Sequence, residues 1–338
     1  MMVRLAGIVL LILIAAGAVA AWTDSFLNAP MRITDSGHLL NISKGSSLTS
    51  VANELAREKI LSYPRVFALY GRLSDSASRI QAGEYEIKVG ATPKSLLEQL
   101  VAGRVKLHSL TVIEGWTVAQ LLHAIRTHPA IEQTLELESP ADLVTALALD
   151  YAHPEGLFFP DTYRFPRGTT DVELLRRAYE LMQQRLADIW SERQAGLILS
   201  GPYEALILAS IVERETALAI ERPEVAGVFI RRLEKGMRLQ TDPTVIYGLG
   251  ASYSGNLTRK HLESDSPYNT YTRKGLPPTP IALPGEGALL AVVNPAAGDA
   301  LYFVATGRAD GSHYFTATLT EHNAAVARYL DVLRNQSN

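Results

Sequence analysis

The sequence predicts an α+β protein that begins with one N-terminal apolar helix. Three observations support this fold class. An uninterrupted apolar run stands near the N-terminus, a strand–turn–helix pattern occurs three times before residue 126, and the C-terminal half alternates long helical stretches with a turn-rich loop and a hairpin pattern. The first observation indicates a transmembrane helix, the second a small strand/helix domain, and the third a larger mixed α+β domain.

Length and composition exclude several classes of protein. The 338 residues are enough for two or three domains. The 32 basic and 35 acidic residues leave no cationic excess, so we expect no nucleic-acid partner. Cysteine is absent, which rules out disulfides, thiol catalysis and cysteine-ligated metals.

The histidines and glycines indicate neither a metal site nor a cofactor. The eight histidines include no HExxH motif. His123 and His128 are five residues apart, on different faces of a helix. Because phosphate-loop and dinucleotide-binding fingerprints are also lacking, we expect the protein to use no metal and no cofactor.

The apolar run indicates a membrane anchor. It covers the 17 residues 5–21, follows Arg4 and is closed by Trp22, which puts it at the short limit of the roughly 20 residues that a transmembrane helix needs. The basic residue before it predicts an N-terminus inside the cell, and Trp22 suits the opposite interface. A cleaved signal peptide is the alternative, because residues 18–20 satisfy the small-residue cleavage rule.

We favour a retained anchor, with the bulk of the chain outside the cytoplasm. The expected segments are a cytoplasmic tail at 1–4, a transmembrane helix at 5–22 and a linker at 23–38.

The strand–turn–helix pattern has a fixed template. A glycine is followed two positions later by a hydroxyl residue, and apolar residues stand four and eight positions after that. The glycines are Gly45, Gly90 and Gly115, and the preceding strand-like stretches are 39–42, 85–89 and 110–113. The template predicts a turn, an N-cap and one apolar helix face. Such turns also recur by chance in α+β proteins, and we accept that explanation for the third unit.

The stretch 203–248 is the centre of the larger domain. Residues 205–212 are apolar apart from Ser210, which predicts a helix buried on all sides. Glu213 and Glu215 follow, roughly 200° apart around a helix. A carboxylate at the end of an apolar run loses hydration, which raises its pKa toward the range useful for a general acid. The alternative is a solvated helix end or a salt bridge to Arg214 or Arg222.

Four stretches in a fixed order carry a resemblance to a known family. They are SIVERET, ERPEVAGVFIRRLEKGMRLQTDPTVIYG, YNTYTRKGLPPTPIALPG and a final NPA. They resemble the MltG (YceG-like) family of membrane-anchored endolytic murein transglycosylases, from about Val112 to the C-terminus. The resemblance implies a catalytic domain at 106–338 and a catalytic glutamate at Glu213, with Glu215 as the alternative position.

The resemblance also implies residues that bind the substrate. Aromatic faces stack on pyranose rings, and amides bond to hydroxyl and N-acetyl groups, so a stiff loop with tyrosines and an asparagine suits a sugar cleft. The implied substrate-binding residues are Ser210, Glu215, Gln240, Asp242, Tyr247, Asn269, Tyr271 and Asp161.

The first strand–turn–helix unit, GSSLTSVANEL, resembles the start of a LysM module, a small fold that binds N-acetylglucosamine-containing glycans. A LysM-like domain would cover residues 39–105. The alternative is a purely structural role.

The implied reaction is lytic cleavage of the β-1,4 bond between N-acetylmuramic acid (MurNAc) and N-acetylglucosamine (GlcNAc). Most glycosidases need two carboxylates, but here the substrate's own C6 hydroxyl attacks, so that one carboxylate suffices and a 1,6-anhydro end is left. The implied partners are glycan strands and penicillin-binding proteins or other cell-wall synthases. The implied location is the cytoplasmic membrane, with the catalytic domain in the periplasm and nascent strands terminated there.

Two other functions remain as alternatives. One is a non-enzymatic scaffold that binds the cell wall. The other is a pyridoxal-phosphate lyase, which requires a buried Schiff-base lysine. The lysines at Lys235, Lys260 and Lys274 stand in polar surroundings, which disfavours the lyase.

Overall fold

A computed structural model describes residues 2–336. The fold is mixed α+β, as predicted. The chain forms two compact units. Unit 1 comprises the residues up to His108 together with Arg164–Gly168, and unit 2 comprises Ser109–Tyr163 and the chain from Thr169 onward.

The first elements belong to unit 1, apart from the last strand, which crosses its boundary. In chain order they are α1 (Met2–Asn28), β1 (His38–Ile42), α2 (Leu48–Arg57), α3 (Pro64–Leu73), β2 (Gly83–Ile87), α4 (Pro93–Val101) and β3 (Leu107–Thr111).

Helix α1 contains the expected apolar run. Its segment Arg4–Asn28 is long and apolar enough to cross a membrane. The helix continues beyond Trp22, and Leu27 in its last turn is buried in unit 1. The Tyr63 ring packs edge-on against Trp22 and Phe26, with centroids 4.9 and 5.3 Å away.

The linker expected at 23–38 is therefore largely ordered. Its first part is helical, and its second part is bonded to unit 1, since the N–H of Met31 donates to the Ala91 carbonyl and that of Arg32 to the Ile60 carbonyl. The segment assigned as a linker thus lies against unit 1, where Phe26 packs against the hydrophobic core and Met31 belongs to it.

The strand–turn–helix template is confirmed at all three positions, including the third. The three glycines have φ of +84°, +83° and +79°, the left-handed region that glycine enters without steric cost. Two residues later Ser47, Thr92 and Thr117 cap α2, α4 and the next helix, each accepting a bond from the backbone N–H three residues on.

Strand β1 ends at Ile42 as predicted, whereas β2 and β3 each end two residues earlier than the sequence suggested. Strand β1 pairs antiparallel with β2, and the last pair is His38 with Ile87. Beyond it the N–H of Ala91 bonds to the Lys88 carbonyl, so that Val89 lies in the turn. The core of unit 1 lies between this two-stranded sheet and its helices, around the fully buried Tyr85 and Phe67.

The remaining elements belong to unit 2, apart from β5, which crosses the boundary and pairs with β3. They are α5 (Val118–Thr127), β4 (Ile131–Glu132), α6 (Leu143–Ala146), β5 (Thr162–Pro166), β6 (Thr169–Thr170), α7 (Asp171–Ser191), α8 (Pro202–Glu215), α9 (Arg222–Glu234), α10 (Asp242–Leu249), α11 (Arg259–Glu263), α12 (Glu286–Val293), β7 (Tyr302–Ala305), β8 (His313–Thr316) and α13 (Leu319–Gln336).

Helix α8 forms the centre of unit 2. Every residue from Ala205 to Val212 is buried, and the helix packs against α7, α9, α10 and α12. The prediction of a helix buried on all sides is confirmed. The predicted hairpin is also present as β7 and β8, which pair antiparallel between Tyr302–Thr316 and Ala305–His313.

We predict that the side-chain hydrogen bonds at the N-terminus of α7 contribute strongly to the stability of the folded protein. Thr170 and Glu173 form a reciprocal capping box, so Thr170→Ala should lower the free energy of unfolding by about 1 kcal/mol. The buried carboxylate of Asp171 accepts from the N–H groups of Thr134, Leu135 and Val172. Asp171→Ala should cost more, since buried donors lose their acceptor.

The measurement is thermal unfolding of the detergent-solubilised protein by circular dichroism. Thr320→Ala, on the exposed face of α13, is the control and should change stability by less than about 0.5 kcal/mol. A Thr170 variant as stable as this control would contradict the prediction.

Candidate active site

A cleft of about 580 Å³ lies in unit 2 at the C-terminal end of α8. Four of the predicted site residues line it: Glu215 from α8, Gln240 and Asp242 around the start of α10, and Tyr271 from the following loop. The chain thus brings together side chains that are up to 56 residues apart in sequence (271 − 215).

Glu215 is one of the two carboxylic acids that line the cleft in the described part of the chain. The hydroxyl of Thr241 donates to its Oε1, whereas Oε2 receives no hydrogen bond from residues 2–336. The pKa of Glu215 is raised to about 7, mainly by burial and in part by Asp242, while Thr241 and Arg232 act against the rise. A carboxyl group with this pKa is partly protonated near neutral pH and can donate a proton.

Gln240 has a strained backbone beside this carboxyl group. Its φ is +52°, a left-handed conformation that side chains other than glycine seldom adopt. The turn at Thr270 fixes it: the N–H of Gln240 donates to the Thr270 carbonyl at 3.2 Å, and the N–H of Thr241 to the Thr270 hydroxyl at 3.1 Å. Strain of this kind is concentrated at functional sites.

Asp242 and Tyr271 form a second polar pair in the cleft. The Tyr271 hydroxyl donates to Oδ1 of Asp242 at 2.6 Å. Asp242 lies in the first turn of α10, and its side chain does not cap that helix. The carboxylate therefore remains available to the cleft, where it faces the same space as Glu215.

Sequence reasoning missed a further wall of the cleft. Arg232, Tyr302, His322 and Asn323 line it from α9, β7 and α13. The guanidinium of Arg232 is buried, donates to the carbonyls of Leu301 and Leu239, and lies 5.2 Å from the Tyr302 ring centroid. The sequence analysis gave none of these four residues a role, although Arg232 stands within the second family motif. The adjacent polar pair His322-Asn323 was the other signal in the sequence.

His322 is a neutral imidazole in this wall. Its ring stacks on Tyr302 with centroids 5.2 Å apart. Burial lowers its pKa, and Arg232 contributes to the same direction. Its Nδ1 is buried and has no hydrogen-bond partner among the described residues, so a polar group of a ligand could satisfy it.

Glu213 lies on the opposite side of α8, as the angular spacing predicted. Its Oε1 is 2.8 Å from a guanidinium nitrogen of Arg222, and its Oε2 accepts from the N–H of Gly285 at 3.0 Å. Burial raises its pKa, while Gly285 and Arg222 act against the rise. Both oxygens are thus occupied by protein groups, and the side chain does not line the cleft.

Ser210 and Asn269 do not reach the cleft, contrary to our expectation that they contact substrate. Ser210 is fully buried; its hydroxyl donates to the Ile207 carbonyl and accepts from the N–H of Ile281. The Asn269 amide is buried and donates to backbone carbonyls at the end of α11. Their amide and hydroxyl groups satisfy backbone atoms and so fix the proline-rich loop and the loop before it.

Tyr247 and Asp161 also lie outside the cleft lining. The Tyr247 hydroxyl donates to Glu155 at 3.1 Å, and Glu155 accepts from the N–H of Val118 at 2.9 Å. Burial raises the pKa of Glu155 to about 7. Asp161 is exposed, and its carboxylate accepts from the N–H of Thr162. Tyr247 therefore ties α10 to the loop at Glu155 and fixes the cleft indirectly.

Among residues 2–336, no three histidine, aspartate or glutamate side chains lie close enough together to hold a metal ion. The groups that the cleft does offer are carboxyl, amide, phenol and imidazole groups. They suit proton transfer and the binding of a polar, hydroxyl-rich ligand.

Comparisons with known proteins identify the family. The model of the YceG-like family matches residues 40–328. The chain belongs to the YceG-like family. The family resemblance predicted from the four motifs is confirmed.

Similar proteins agree with this membership. The chain is 32% identical over 308 residues to the endolytic murein transglycosylase of Bacillus subtilis (strain 168), covering 86% of this chain and 84% of that protein. It is 25% identical to the endolytic murein transglycosylase of Streptococcus pneumoniae serotype 2 (strain D39), covering 58% of that longer protein. A crystal structure of a YceG-like protein from Listeria monocytogenes superposes with a TM-score of 0.53 at 29% identity, over 86% of this chain and 99% of that one.

The raised pKa of Glu215 predicts a pH dependence of stability. Its folded-state pKa of about 7 exceeds the ordinary glutamate pKa of 4.5, so between these pH values the folded state holds a proton that the unfolded state has released. Stability should fall as the pH rises from about 4.5 to 7, by at most about 1.4 kcal/mol per pH unit for this group. Glu215→Gln should remove that contribution and raise the melting temperature relative to wild type at pH 8.

The check is a series of melting curves from pH 4 to 8 for wild type and variant. Asp161→Asn changes an exposed carboxylate and should leave the slope unchanged. Equal slopes for wild type and Glu215→Gln would show that Glu215 is not the buried acid described above.

Proposed function

We propose that this chain is a membrane-anchored endolytic murein transglycosylase that cleaves the MurNAc–GlcNAc β-1,4 bond and leaves 1,6-anhydro-MurNAc ends. The observation that carries the proposal is the Glu215 carboxyl group, which lines a polar cleft and whose pKa is raised to about 7. The names of the Bacillus and Streptococcus relatives supply the substrate class and the endolytic mode of cutting.

The cleft suits a glycan strand in both size and chemistry. Its volume of about 580 Å³ lies within the range of ligand sites of about 300–1,000 Å³. Tyr271 and Tyr302 offer aromatic rings to pyranose faces, and Gln240 and Asn323 offer amides to hydroxyl and N-acetyl groups. Arg232 adds the only cation among the described lining residues, suited to the carboxylates of peptidoglycan.

In the first step Glu215 acts as the acid. Its carboxyl proton passes to the glycosidic oxygen while the C1–O bond of MurNAc breaks, and the GlcNAc-ended part leaves as an alcohol. The resulting positive charge at C1 develops near the newly formed Glu215 carboxylate and near Asp242, which lines the same cleft. Two carboxylates in a partly dry site stabilise such a charge.

In the second step Glu215 acts as the base. The C6 hydroxyl of the same MurNAc attacks C1, its proton passes to the Glu215 carboxylate, and the 1,6-anhydro ring closes. The enzyme returns to its starting protonation state. No second catalytic carboxylate is needed to activate water, since the nucleophile is tethered to the reacting ring and has a high effective concentration.

This proposal assigns the catalytic role to Glu215, which we had taken as the alternative to Glu213. The reason is access: Glu215 lines the cleft, whereas both oxygens of Glu213 are bonded to Arg222 and Gly285. A carboxylate engaged by a guanidinium is a poor proton donor. Glu213 is better explained as the anchor of the loop at Gly285.

We predict that Glu215→Gln abolishes turnover. An amide keeps the shape of the side chain but cannot exchange a proton, so the rate should fall on the order of 10²–10⁴-fold or more. The measurement is release of anhydro-ended muropeptides from purified glycan strands, detected by mass spectrometry. Glu213→Gln is the matched control, two residues away on the same helix, and should retain most of the activity.

Two outcomes would change the assignment. A Glu213 variant that is inactive but folded, beside an active Glu215 variant, would place the chemistry on the other face of α8. Activity in both variants, or no anhydro product from wild type, would favour the alternative that the protein is a non-enzymatic scaffold that binds the cell wall.

We further propose that α1 is a retained transmembrane anchor in the cytoplasmic membrane, with both units in the periplasm. Its support is the segment Arg4–Asn28, which is long and apolar enough to span a bilayer, with Arg4 at one end and Trp22 toward the other. The full-length protein should stay in the membrane fraction after a high-salt wash. A mature protein that starts at Ala21 would show instead that the segment is a cleaved signal peptide.

Residues 39–105 are proposed to form a LysM-like domain that binds glycan beside the catalytic domain at 106–338. The support is the GSSLTSVANEL resemblance together with the β1–α2–α3–β2 order, in which the two strands pair antiparallel. Deleting residues 39–103 should weaken binding to isolated glycan strands in a pull-down while some cleavage remains. Unchanged binding would leave this region with a structural or partner-docking role.

At the level of the cell, the proposed role is termination of nascent glycan strands beside penicillin-binding proteins or other cell-wall synthases. It follows from an endolytic cut made close to the membrane, where new strands are formed. Cells lacking the activity should contain longer glycan strands than wild-type cells.

A further inference from the structure

A second cavity, of about 240 Å³, lies in unit 1 where α1 leaves the apolar run. Three residues of α1 line it: Trp22, Ser25 and Phe26. Their spacing of three and four residues puts them on one face of the helix. The segment Ala29–Arg32 and the loop Ile60–Tyr63 after α2 close the other sides.

The cavity stands at the depth of lipid headgroups if α1 spans the membrane as proposed. Trp22 is the first residue after the apolar run, and Phe26 is about 6 Å further along the helix axis. The headgroup layer on each side of the hydrocarbon core is roughly 5–8 Å thick. Trp22 and Tyr63 are each about half exposed, at 45% and 48%, as aromatic residues are at membrane interfaces.

The residues that line the cavity combine groups that can bind phosphate with apolar side chains. Arg32 is the only charged residue among the described residues that line the cavity, and no acidic side chain faces it there. Within residues 2–336 no carboxylate forms an ion pair with Arg32. The hydroxyls of Ser25 and Ser62 add hydrogen-bond donors, while Phe26, Met31 and Ile60 supply apolar surface.

We propose that this cavity binds the phosphate-containing headgroup of an anionic phospholipid, with the phosphate on Arg32 and the glycerol region against the aromatic side chains. An unpaired arginine favours a ligand with net negative charge over a zwitterionic lipid. The site thereby holds unit 1 against the bilayer surface. The inference rests on the proposed membrane anchoring.

The test uses the full-length chain in nanodiscs made from equal amounts of phosphatidylcholine and phosphatidylglycerol. The protein is then released into detergent, and native mass spectrometry measures how much of each lipid stays bound to it. Wild type should retain phosphatidylglycerol in preference to phosphatidylcholine. Arg32→Gln should reduce that preference roughly fivefold, the effect of about one cationic contact near a membrane surface.

Arg65→Gln is the matched control, because Arg65 is an exposed arginine of the neighbouring α3 that does not line the cavity. It should leave the preference unchanged. The proposal is overturned if Arg32→Gln retains phosphatidylglycerol as wild type does, if both variants lose it equally, or if wild type shows no preference. A chain that never enters the nanodisc refutes the anchor, and the site with it; a chain that enters without preference refutes the site alone.

Discussion

The burial of one carboxyl group at the end of an apolar helix is the constraint on which the rest of unit 2 depends. Helix α8 is buried from Ala205 to Val212, so Glu215 at its end cannot turn away into bulk water. The Thr241 hydroxyl holds one of its oxygens, and Thr241 is itself held by Thr270. The packing of the earlier turns of α8 therefore helps to make the charged form of Glu215 less favourable than the protonated form.

The two faces of α8 separate two tasks that a single glutamate could not perform together. On one face, Glu213 pairs with Arg222 and the Gly285 N–H, which fixes the proline-rich loop to the helix. On the other, Glu215 keeps one oxygen for the cleft. Glu213 stabilises the fold because both of its oxygens are bonded. Glu215 suits the proposed chemistry because one of its oxygens has no hydrogen-bond partner among the described residues. Ser210 joins the structural side through its bond to the N–H of Ile281.

The sequence was informative where local chemistry decides the structure. The glycine–hydroxyl spacing located three helix starts, since a left-handed glycine and an N-cap act within a few residues. The uniform apolarity of 205–212 located the central helix. Angular spacing placed Glu213 and Glu215 on different faces of the helix but could not say which of them lines the cleft. That depends on residues from distant segments, namely Thr241, Arg232 and His322. The packing of residues 23–38 was equally out of reach, because Phe26 and Met31 contact a core built from residues that follow later in the chain.

The unbroken passage of α1 into unit 1 has a mechanical consequence. The helix runs to Asn28 with Leu27 buried and the rings of Trp22 and Phe26 packed on Tyr63, so the junction has no hinge between the apolar run and the folded unit. Transmembrane helices tilt to match their length to the bilayer. If α1 spans the membrane as proposed, a rigid helix of this kind would transmit that tilt, and bilayer thickness would set the direction in which unit 1 points from the membrane.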